Sequence, residues 1–255
     1  MKTYVKLILL LAIPLLLLIV WAFLSEDFSG GTLPARADFS ALLPDTEARM
    51  ADSLTTAEPQ EKQVDTTAQR ILFFGDSMVE GLMGRIAQRA TAGSHDITSV
   101  VWYSSGTRQW ADTDTLQHFI NEVQPTYVLV CLGANQLFVR NLHEVDKEIE
   151  RIVERLGGTP FVWISPPNWK DDTGINELII KHVGPDRYFD SRHLSLARRN
   201  DHAHPTAAAA REWADTVCNW LSTTQPRHPI SLPQPSQAAK GNRQNAKTVL
   251  LQPMQ

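Results

Sequence analysis

Two widely separated stretches of the chain carry residue types that can together perform nucleophilic catalysis. They are Gly-Asp-Ser at residues 75–77 and Asp-His-Ala-His-Pro at residues 201–205. A serine hydroxyl is a weak nucleophile until a neighbouring imidazole takes its proton, and the imidazole needs a carboxylate to fix its tautomer and stabilise its charged form. We therefore predict an acyl-transfer site with Ser77 as nucleophile, His204 as base and Asp201 as the orienting carboxylate.

Each stretch also has an ordinary structural explanation, and residue types alone leave both open. Ser77 can cap a helix, with Glu80 three residues later completing a capping box. The second stretch can be a solvated turn, since Asp, His and Pro are common loop residues. His202 is a rival base, but adjacent side chains diverge in an extended segment. Asp201 and His204 lie three residues apart, so their side chains can hydrogen-bond across a turn. We therefore predict His204 rather than His202 as the base.

Short apolar runs alternate five times with longer segments of helical periodicity. The apolar runs are 71–74, 97–102, 127–132, 161–164 and 188–189, and the helical segments are 78–90, 113–123, 145–156, 175–183 and 207–221. This alternation predicts a five-stranded parallel sheet covered by helices on both faces, which is a three-layer α/β/α domain. The natural expectation for its strand order is the flavodoxin-like one.

Polar residues with unusual chemistry directly follow the predicted strands. In strand order they are Ser77, Gly106, Asn135, Asn168, and Asp201 with His204. In an open α/β sheet, ligands bind outside the carboxyl ends of the strands. The five loops can therefore converge on one crevice.

Four short blocks in this order resemble those of the SGNH hydrolases, also called GDSL-like lipases and esterases. The blocks are Ser77 in 75–77, Gly106 in 104–106, Asn135 in 133–135, and the Asp-x-x-His at 201–204. The resemblance covers the folded unit and implies an α/β/α fold with a Ser77, His204 and Asp201 triad. It also implies an oxyanion hole made by the backbone N–H groups of Ser77 and Gly106 and the side-chain amide of Asn135.

The sequence departs from the family pattern in several places. Met78 replaces the usual Leu, a volume-conserving change. Gln136 stands where Asp commonly follows the Asn, which puts the support of Asn135 in doubt. Gly106 can also simply permit a turn, and Asn135 can cap the following segment. The folded unit is small for the family, so we expect a shallow acyl-binding crevice. The Gly-x-Ser-x-Gly elbow of α/β-hydrolases is absent, because Val79 occupies its last position.

The N-terminus predicts a membrane anchor. Residues 7–24 contain no charge and would span roughly 27 Å as a helix, close to the thickness of a bilayer's hydrocarbon core. Lysines precede this run and acidic residues follow it, so residues 1–6 are predicted to be cytoplasmic and the rest exported. A cleaved signal peptide is the alternative, although the run is longer than usual for one. Both place the later residues in the periplasm or outside the cell.

Composition divides the exported part into a linker, a domain and a tail. Residues 25–69 are polar and lack a sustained apolar period, so we predict a flexible linker, followed by a domain over 70–222. Residues 223–255 are rich in Pro, Gln, Ser and Asn and are predicted to be a disordered tail. Cys131 and Cys218 are predicted to be buried free thiols, with a disulfide as the alternative in an exported protein.

Charge and spacing exclude several kinds of partner. The net charge is −4 and no block of Lys or Arg stands out, which excludes a nucleic-acid partner. No metal, nucleotide or redox cofactor is implied by the spacing of the His, Cys and Gly residues.

These features predict an inner-membrane-tethered serine esterase acting on small acyl esters, such as acetyl groups on cell-envelope or exported polysaccharide. Candidate substrate contacts are Asp76, Trp110, Asn168 and Trp169. The two tryptophans could stack on sugars, although packing in the core or at its rim is the more common role for Trp. One alternative is an O-acyltransferase with the same site, supplied by a membrane partner that delivers acyl groups. Another is a non-catalytic glycan-binding or assembly module.

Overall fold

The structure, a computed structural model, describes residues 62–235 and 245–254. Its strands are β1 (Arg70–Gly75), β2 (Asp96–Trp102), β3 (Tyr127–Cys131), β4 (Phe161–Ile164), β5 (Tyr188–Phe189) and β6 (Ala246–Leu251). Its α-helices are α1 (Met78–Ala92), α2 (Thr107–Asp112), α3 (Thr115–Val123), α4 (Leu142–Leu156), α5 (Ile175–Val183) and α6 (Ala207–Leu221). Each predicted apolar run thus forms a strand, and a helix lies over each predicted helical segment.

All strand pairs in the sheet are parallel, and the strand order is β5-β4-β3-β1-β2-β6. Leaving β6 aside, this is the flavodoxin-like order expected from the sequence. The predicted α/β fold is confirmed. Because β1 lies between β2 and β3, the loops that follow these three strands leave the sheet side by side at its centre.

The strands are apolar on both faces because helices cover both faces. In β1, Ile71 and Phe73 pack into a core with α1 and α6, whereas Leu72 and Phe74 pack into a second core with α2, α3, α4 and α5. All four side chains are fully buried. This explains why the strands appear in the sequence as continuous apolar runs rather than as alternating patterns.

The sheet has six strands, so the prediction of five is wrong. β6 pairs with β2 from Ala246 opposite Ile97 to Leu251 opposite Trp102. It was missed because its side chains are exposed or only half-buried, and an edge strand of this kind is held mainly by backbone pairing. Hydrophobic periodicity does not report such pairing.

The predicted tail and linker also contribute to the folded unit. Ile230 and Leu232 are buried in the core with α1 and α6, and Asp65 forms a parallel bridge with Ile230. The prediction of a disordered tail over 223–255 is therefore wrong for these residues and for β6. The linker prediction is likewise wrong at its end, where the N–H of Gln69 donates to Nδ1 of His95 over 3.0 Å.

Two other predictions concern the membrane and the cysteines. In the ranges 62–235 and 245–254, no helix has the length and apolar character needed to cross a bilayer, and the predicted anchor at 7–24 lies outside these ranges. Cys131 and Cys218 are both free and buried. Burial raises the pKa of the Cys218 thiol to about 12, so it remains protonated at neutral pH.

Deleting residues 246–255 should expose the outer edge of β2 without disturbing the rest of the sheet. We expect a loss of roughly 1–3 kcal/mol in the free energy of unfolding, because backbone pairing and the partial burial of Val249 and Leu251 disappear. Hydrogen exchange of the β2 amides should accelerate relative to that of the β3 amides. The matched control is Leu250→Ala, since the Leu250 side chain is exposed. If the β2 amides exchanged at the same rate in the deletion variant as in wild type, the pairing of β6 with β2 would be contradicted.

Candidate active site

Ser77 lies at the start of α1, directly after the central strand β1, and its hydroxyl is hydrogen-bonded to a distant histidine. Its Oγ is 2.8 Å from Nε2 of His204, a residue 127 positions later. The side chain makes no capping hydrogen bond. The capping role falls to Asp76, whose Oδ1 accepts from the N–H of Met78 over 2.9 Å. The helix-cap explanation of Ser77 is therefore wrong.

His204 is oriented by Asp201 within one tight turn. Nδ1 of His204 is 2.9 Å from Oδ2 of Asp201. Oδ1 of Asp201 accepts from the backbone N–H groups of His204 and Ala203, each over 2.9 Å. These hydrogen bonds lower the pKa of Asp201 to about 2. An ionised carboxylate only accepts, so Nδ1 carries the hydrogen and Nε2 is left to accept from Ser77.

The rival base, His202, does not approach the serine. It is exposed, its φ of 59° lies in the left-handed region, and its ring makes no hydrogen bond to any described residue. Its backbone N–H closes the turn by donating to the carbonyl of Arg199 over 2.9 Å. Ser77 is hydrogen-bonded to His204 and not to His202, so His204 is the candidate base.

Arg198 holds the catalytic turn against the loop that follows β4. Its guanidinium donates to the carbonyl of Ala203 over 2.6 Å and to that of Pro167 over 2.9 Å. The guanidinium carbon also lies 5.9 Å from the centre of the Trp169 ring. Sequence reasoning missed this residue because a basic residue in a polar loop carries no local signal for three distant partners.

Asp76 is fully buried and joins the serine loop to the asparagine loop. Its Oδ2 accepts from the backbone N–H groups of Gly133 and Ala134, over 3.2 and 3.0 Å. Burial raises the pKa of Asp76 to about 6, against the lowering effect of its backbone donors. The prediction of Asp76 as a substrate contact is wrong, because the carboxylate is directed into the protein between two loops.

Residue 75 must be glycine because the backbone of β3 leaves no room for a side chain there. A Cβ there would lie 1.7 Å from the carbonyl oxygen of Cys131. The next backbone N–H, that of Asp76, donates to the same carbonyl over 3.1 Å. The close approach of β1 to β3 thus brings the serine loop within reach of Gly133 and Ala134.

Two of the three predicted oxyanion donors have hydrogens free for a ligand. Nδ2 of Asn135 donates one hydrogen to the carbonyl of Ser105 over 2.9 Å, which orients its second hydrogen. The backbone N–H of Ser77 has no acceptor among the described residues. The N–H of Gly106, however, donates to Oε1 of Gln109 over 2.8 Å. Gln109 was not predicted, although its position three residues after Gly106 follows the capping-box spacing.

Gln136 braces the glycine block; it stands where the SGNH hydrolases that the sequence resembles usually have Asp. Its Oε1 accepts from the N–H of Thr107 over 2.7 Å, and its Nε2 donates to the Thr107 hydroxyl over 2.8 Å. That hydroxyl donates in turn to the buried Glu148 over 2.5 Å. A Cβ on Gly106 would lie 2.8 Å from Oε1 of Gln136. The departure from the family pattern therefore links the glycine and asparagine blocks directly.

Trp110 is not a substrate contact, which corrects the prediction. Its side chain is fully buried, with its ring centre 4.6 Å from that of Phe74 and 5.3 Å from that of Trp102. Its indole N–H donates to the hydroxyl of Ser105 over 3.0 Å. Because α2 begins immediately after Gly106, its inner face turns Trp110 into the core, where it supports the glycine block from beneath.

Asn168 and Trp169 lie on the loop after β4. The Asn168 amide is used within that loop, since it donates to Asp172 over 2.7 Å and accepts from Asn176 over 3.2 Å. Trp169 is half-buried, and its ring centre is 6.0 Å from that of the exposed Phe138. Trp169 therefore presents part of its ring at the surface beside the asparagine loop.

The recess beside the catalytic serine is very small. Its volume is about 10 Å³, and Ser77, His204, Met78 and Pro205 are among its lining residues. A cavity of this size holds about one water molecule or a methyl-sized group. The arrangement can activate a serine next to a compact acyl group while the other side of the ester remains outside.

Comparisons with known proteins add little to this geometry. No protein-family model and no curated protein matches the chain. One similar solved structure is the C-terminal catalytic domain of peptidoglycan O-acetyltransferase A (OatA) of Streptococcus pneumoniae, determined with a methylsulfonyl adduct. It is 19% identical, with a TM-score of 0.43, and the match covers 62% of this chain and 95% of that one. At this level of similarity, conclusions about function depend on the site itself.

Replacing Gln109 with Ala should release the Gly106 N–H for the developing oxyanion. The net value of such a hydrogen bond is about 1 kcal/mol, so we expect kcat/KM for p-nitrophenyl acetate to rise about fivefold. The matched variant Gln109→Glu keeps an acceptor on Gly106 and adds negative charge, and it should lower kcat/KM. A fall in Gln109→Ala would instead mean that the block needs this side chain for its shape.

The raised pKa of Asp76 predicts a distinct pH dependence of stability. The folded value of about 6 exceeds the ordinary value of 3.8, so between these values the folded state holds a proton that the unfolded state has lost. The stabilisation is therefore present at low pH and disappears as pH rises through 6.

Between pH 4 and pH 7 this term should lower the free energy of unfolding by roughly 2 kcal/mol. Asp76→Asn has no carboxyl group to titrate at this position, so its free energy of unfolding should not show this fall. Urea unfolding at both pH values measures it. The same pH dependence in wild type and variant would disprove the raised pKa.

Proposed function

We propose that this protein is a serine-dependent acyl-ester hydrolase that carries small acyl groups, O-acetyl above all, on Ser77. The observation that supports this most directly is the continuous hydrogen-bonded chain from Ser77 through His204 to Asp201, over 2.8 and 2.9 Å. Neither link follows from helix capping or from ordinary turn formation. A serine hydroxyl held against the acceptor nitrogen of an oriented imidazole is the arrangement required for general-base activation.

In the first half of the reaction, Oγ of Ser77 attacks the ester carbonyl carbon while Nε2 of His204 takes the hydroxyl proton. The imidazolium that forms is stabilised by the ionised Asp201 next to Nδ1. The tetrahedral intermediate collapses when the ester C–O bond breaks, and His204 gives its proton to the departing alcohol. An acyl group is then bonded to Ser77.

The negative charge on the tetrahedral oxygen needs fixed hydrogen-bond donors. The Ser77 N–H and the second amide hydrogen of Asn135 are free to serve, and the start of α1 contributes its favourable dipole. The Gly106 N–H would be a third donor only with its hydrogen bond to Gln109 broken. In the second half of the reaction, His204 deprotonates a water that attacks the acyl carbon. The bond from that carbon to Oγ of Ser77 then breaks, the carboxylic acid leaves, and His204 returns the proton to Oγ.

The size of the recess supports a short acyl group. On the side of Ser77 that faces Met78, Pro205 and His204, a volume of about 10 Å³ has no space for a hydrocarbon chain. The alcohol side of the ester faces outward, because the site lies at the open ends of the loops. We therefore propose acetyl esters on a polysaccharide of the cell envelope or an exported polysaccharide as substrates. Trp169 and Asn168 are the proposed contacts on the alcohol side.

The proposed location is outside the cytoplasm, tethered to the inner membrane. It depends on the charge-free run at 7–24 and on the basic residues that precede it. Such a tether would hold the site near envelope polysaccharides and near a membrane partner able to supply acyl groups.

Transfer to another hydroxyl is a second candidate function, favoured by the openness of the site. The side chains of His204 and Asp201 are 33% and 47% exposed, so the catalytic pair is open to a sugar hydroxyl as well as to water. The residues and proton transfers are the same, and only the acceptor differs. A non-catalytic glycan-binding or assembly module is the remaining alternative.

The decisive test uses p-nitrophenyl acetate with full-length wild type, Ser77→Ala and His204→Ala. We expect wild type to release p-nitrophenol and each variant to lose at least about a thousandfold in kcat/KM, since the triad acts as a unit. Circular dichroism should show that all three are folded. A folded wild type no faster than Ser77→Ala would exclude ester hydrolysis and favour the binding module.

The same assay separates hydrolysis from transfer. Adding a neutral oligosaccharide acceptor should leave acetate as the main product of a hydrolase, whereas a transferase would yield O-acetylated oligosaccharide detectable by mass spectrometry. Ser77→Ala is the control for uncatalysed acetylation and should form neither product.

A further inference from the structure

A polar cleft lies beside the catalytic turn, at the carboxyl ends of β4 and β5. Its volume is about 600 Å³, and it is lined by Asn168, Trp169, Lys170, Asp171, Asp172, Glu177, Arg192 and His193. It shares none of these residues with the small recess at Ser77. The cleft is much larger than the recess and is a separate space.

The cleft offers one aromatic surface among hydrogen-bonding groups. Trp169 is the one apolar aromatic residue that lines the cleft. The other lining residues are polar or charged. A hydrocarbon chain would leave these polar groups without partners, which is costly. A sugar ring, by contrast, presents C–H groups to an aromatic ring and hydroxyls to polar side chains.

Much of the charge in the cleft is already paired within the protein. Arg192 binds Asp190 over 2.8 Å and Glu177 over 2.8 Å. Asp172 accepts hydrogen bonds from Asn168 and Asn176 and from a backbone N–H.

The exposed charges of opposite sign at Lys170 and Asp171 have no ion-pair partner among the described residues. The lining residues carry two positive and three negative charges with His neutral. The cleft therefore provides no strong attraction for a polyanion.

The loop that carries this cleft is bonded to both sides of the active site. The Thr173 N–H donates to the carbonyl of Leu137, two residues after Asn135, over 2.8 Å. On the other side, Arg198 joins the carbonyls of Pro167 and Ala203, and Ala203 immediately precedes His204. A ligand in the cleft therefore contacts a loop that is hydrogen-bonded both to the segment that follows Asn135 and to the turn that carries His204.

We propose that this cleft is the glycan subsite, which holds neutral sugar residues adjoining the one whose ester is cleaved at Ser77. Trp169 stacks on a sugar ring, and Lys170 and Asp171 hydrogen-bond to its hydroxyls. The inference builds on the proposed esterase function and specifies its substrate as a neutral oligosaccharide or polysaccharide. The protein would then select its substrates by the length of the glycan and not by the length of the acyl chain.

The test compares kcat/KM of the full-length protein on singly O-acetylated methyl xyloside, singly O-acetylated xylotetraose and p-nitrophenyl acetate. Wild type should prefer the tetrasaccharide to the monosaccharide by about tenfold, and Trp169→Ala should remove most of that preference, mainly through KM. Any loss that Trp169→Ala shows on p-nitrophenyl acetate, which carries no sugar, should be clearly smaller than its loss on the tetrasaccharide. The matched variant Trp169→Phe keeps an aromatic face and should retain the preference.

If Trp169→Ala does not fold, the exposed Lys170→Ala gives the same comparison, with an expected loss of about threefold on the tetrasaccharide alone. Equal wild-type values for the two sugar esters would overturn the proposal. So would parallel losses on all three substrates in a folded variant, because those would reflect general damage to the site.

A binding measurement separates this inference from the proposed function. Ligand-detected NMR with xylotetraose and folded Ser77→Ala protein should show binding that is lost in Ser77→Ala/Trp169→Ala. Binding without p-nitrophenyl acetate hydrolysis by wild type would support the glycan subsite while excluding the esterase. If the wild type hydrolysed p-nitrophenyl acetate but neither bound nor preferred the tetrasaccharide, the esterase would be supported and the glycan subsite excluded.

Discussion

The candidate site depends on one buried carboxylate. Asp76 accepts from the backbone N–H of Met78 at the start of α1 and from those of Gly133 and Ala134 after β3. One side chain thereby fixes the direction of the helix that carries Ser77 and the position of the loop that carries Asn135. Nucleophile and oxyanion donor are thus positioned by a single group, although 58 residues separate them. Burial makes this arrangement costly for the charged form, and the three backbone donors offset part of that cost.

The glycine block is held by a second and quite different network. Gln136, Thr107 and Glu148 form a hydrogen-bonded chain, and Trp110 supports Ser105 from the core side. Such networks hold their members rigidly when every polar atom has a partner. They also show how the site tolerates Gln in place of the Asp found in the family it resembles. The support for Asn135 comes instead from the carbonyl of Ser105, which the network keeps in place.

The two spaces near the site divide the proposed recognition between them. In the proposed function, the small recess at Ser77 would limit the acyl group, and the larger polar cleft beside Trp169 would hold the sugar chain. Arg198 lies between them and contacts both the β4 loop and the catalytic turn. One guanidinium group therefore links the loop that carries the cleft to the turn that carries His204.

The sequence by itself determined the alternation of strands and helices and the α/β class. It also identified Ser77, His204 and Asp201 as candidates for a catalytic triad. These follow from local periodicity and from side-chain chemistry, which a linear pattern records. Only the tertiary structure decided which groups meet across long separations. The burial of Asp76 and Trp110, the occupation of the Gly106 N–H by Gln109 and the pairing of β6 with β2 all depend on backbone geometry. A polar or aromatic residue in a loop has no local signal for its direction, because the distant atoms that it contacts set that direction.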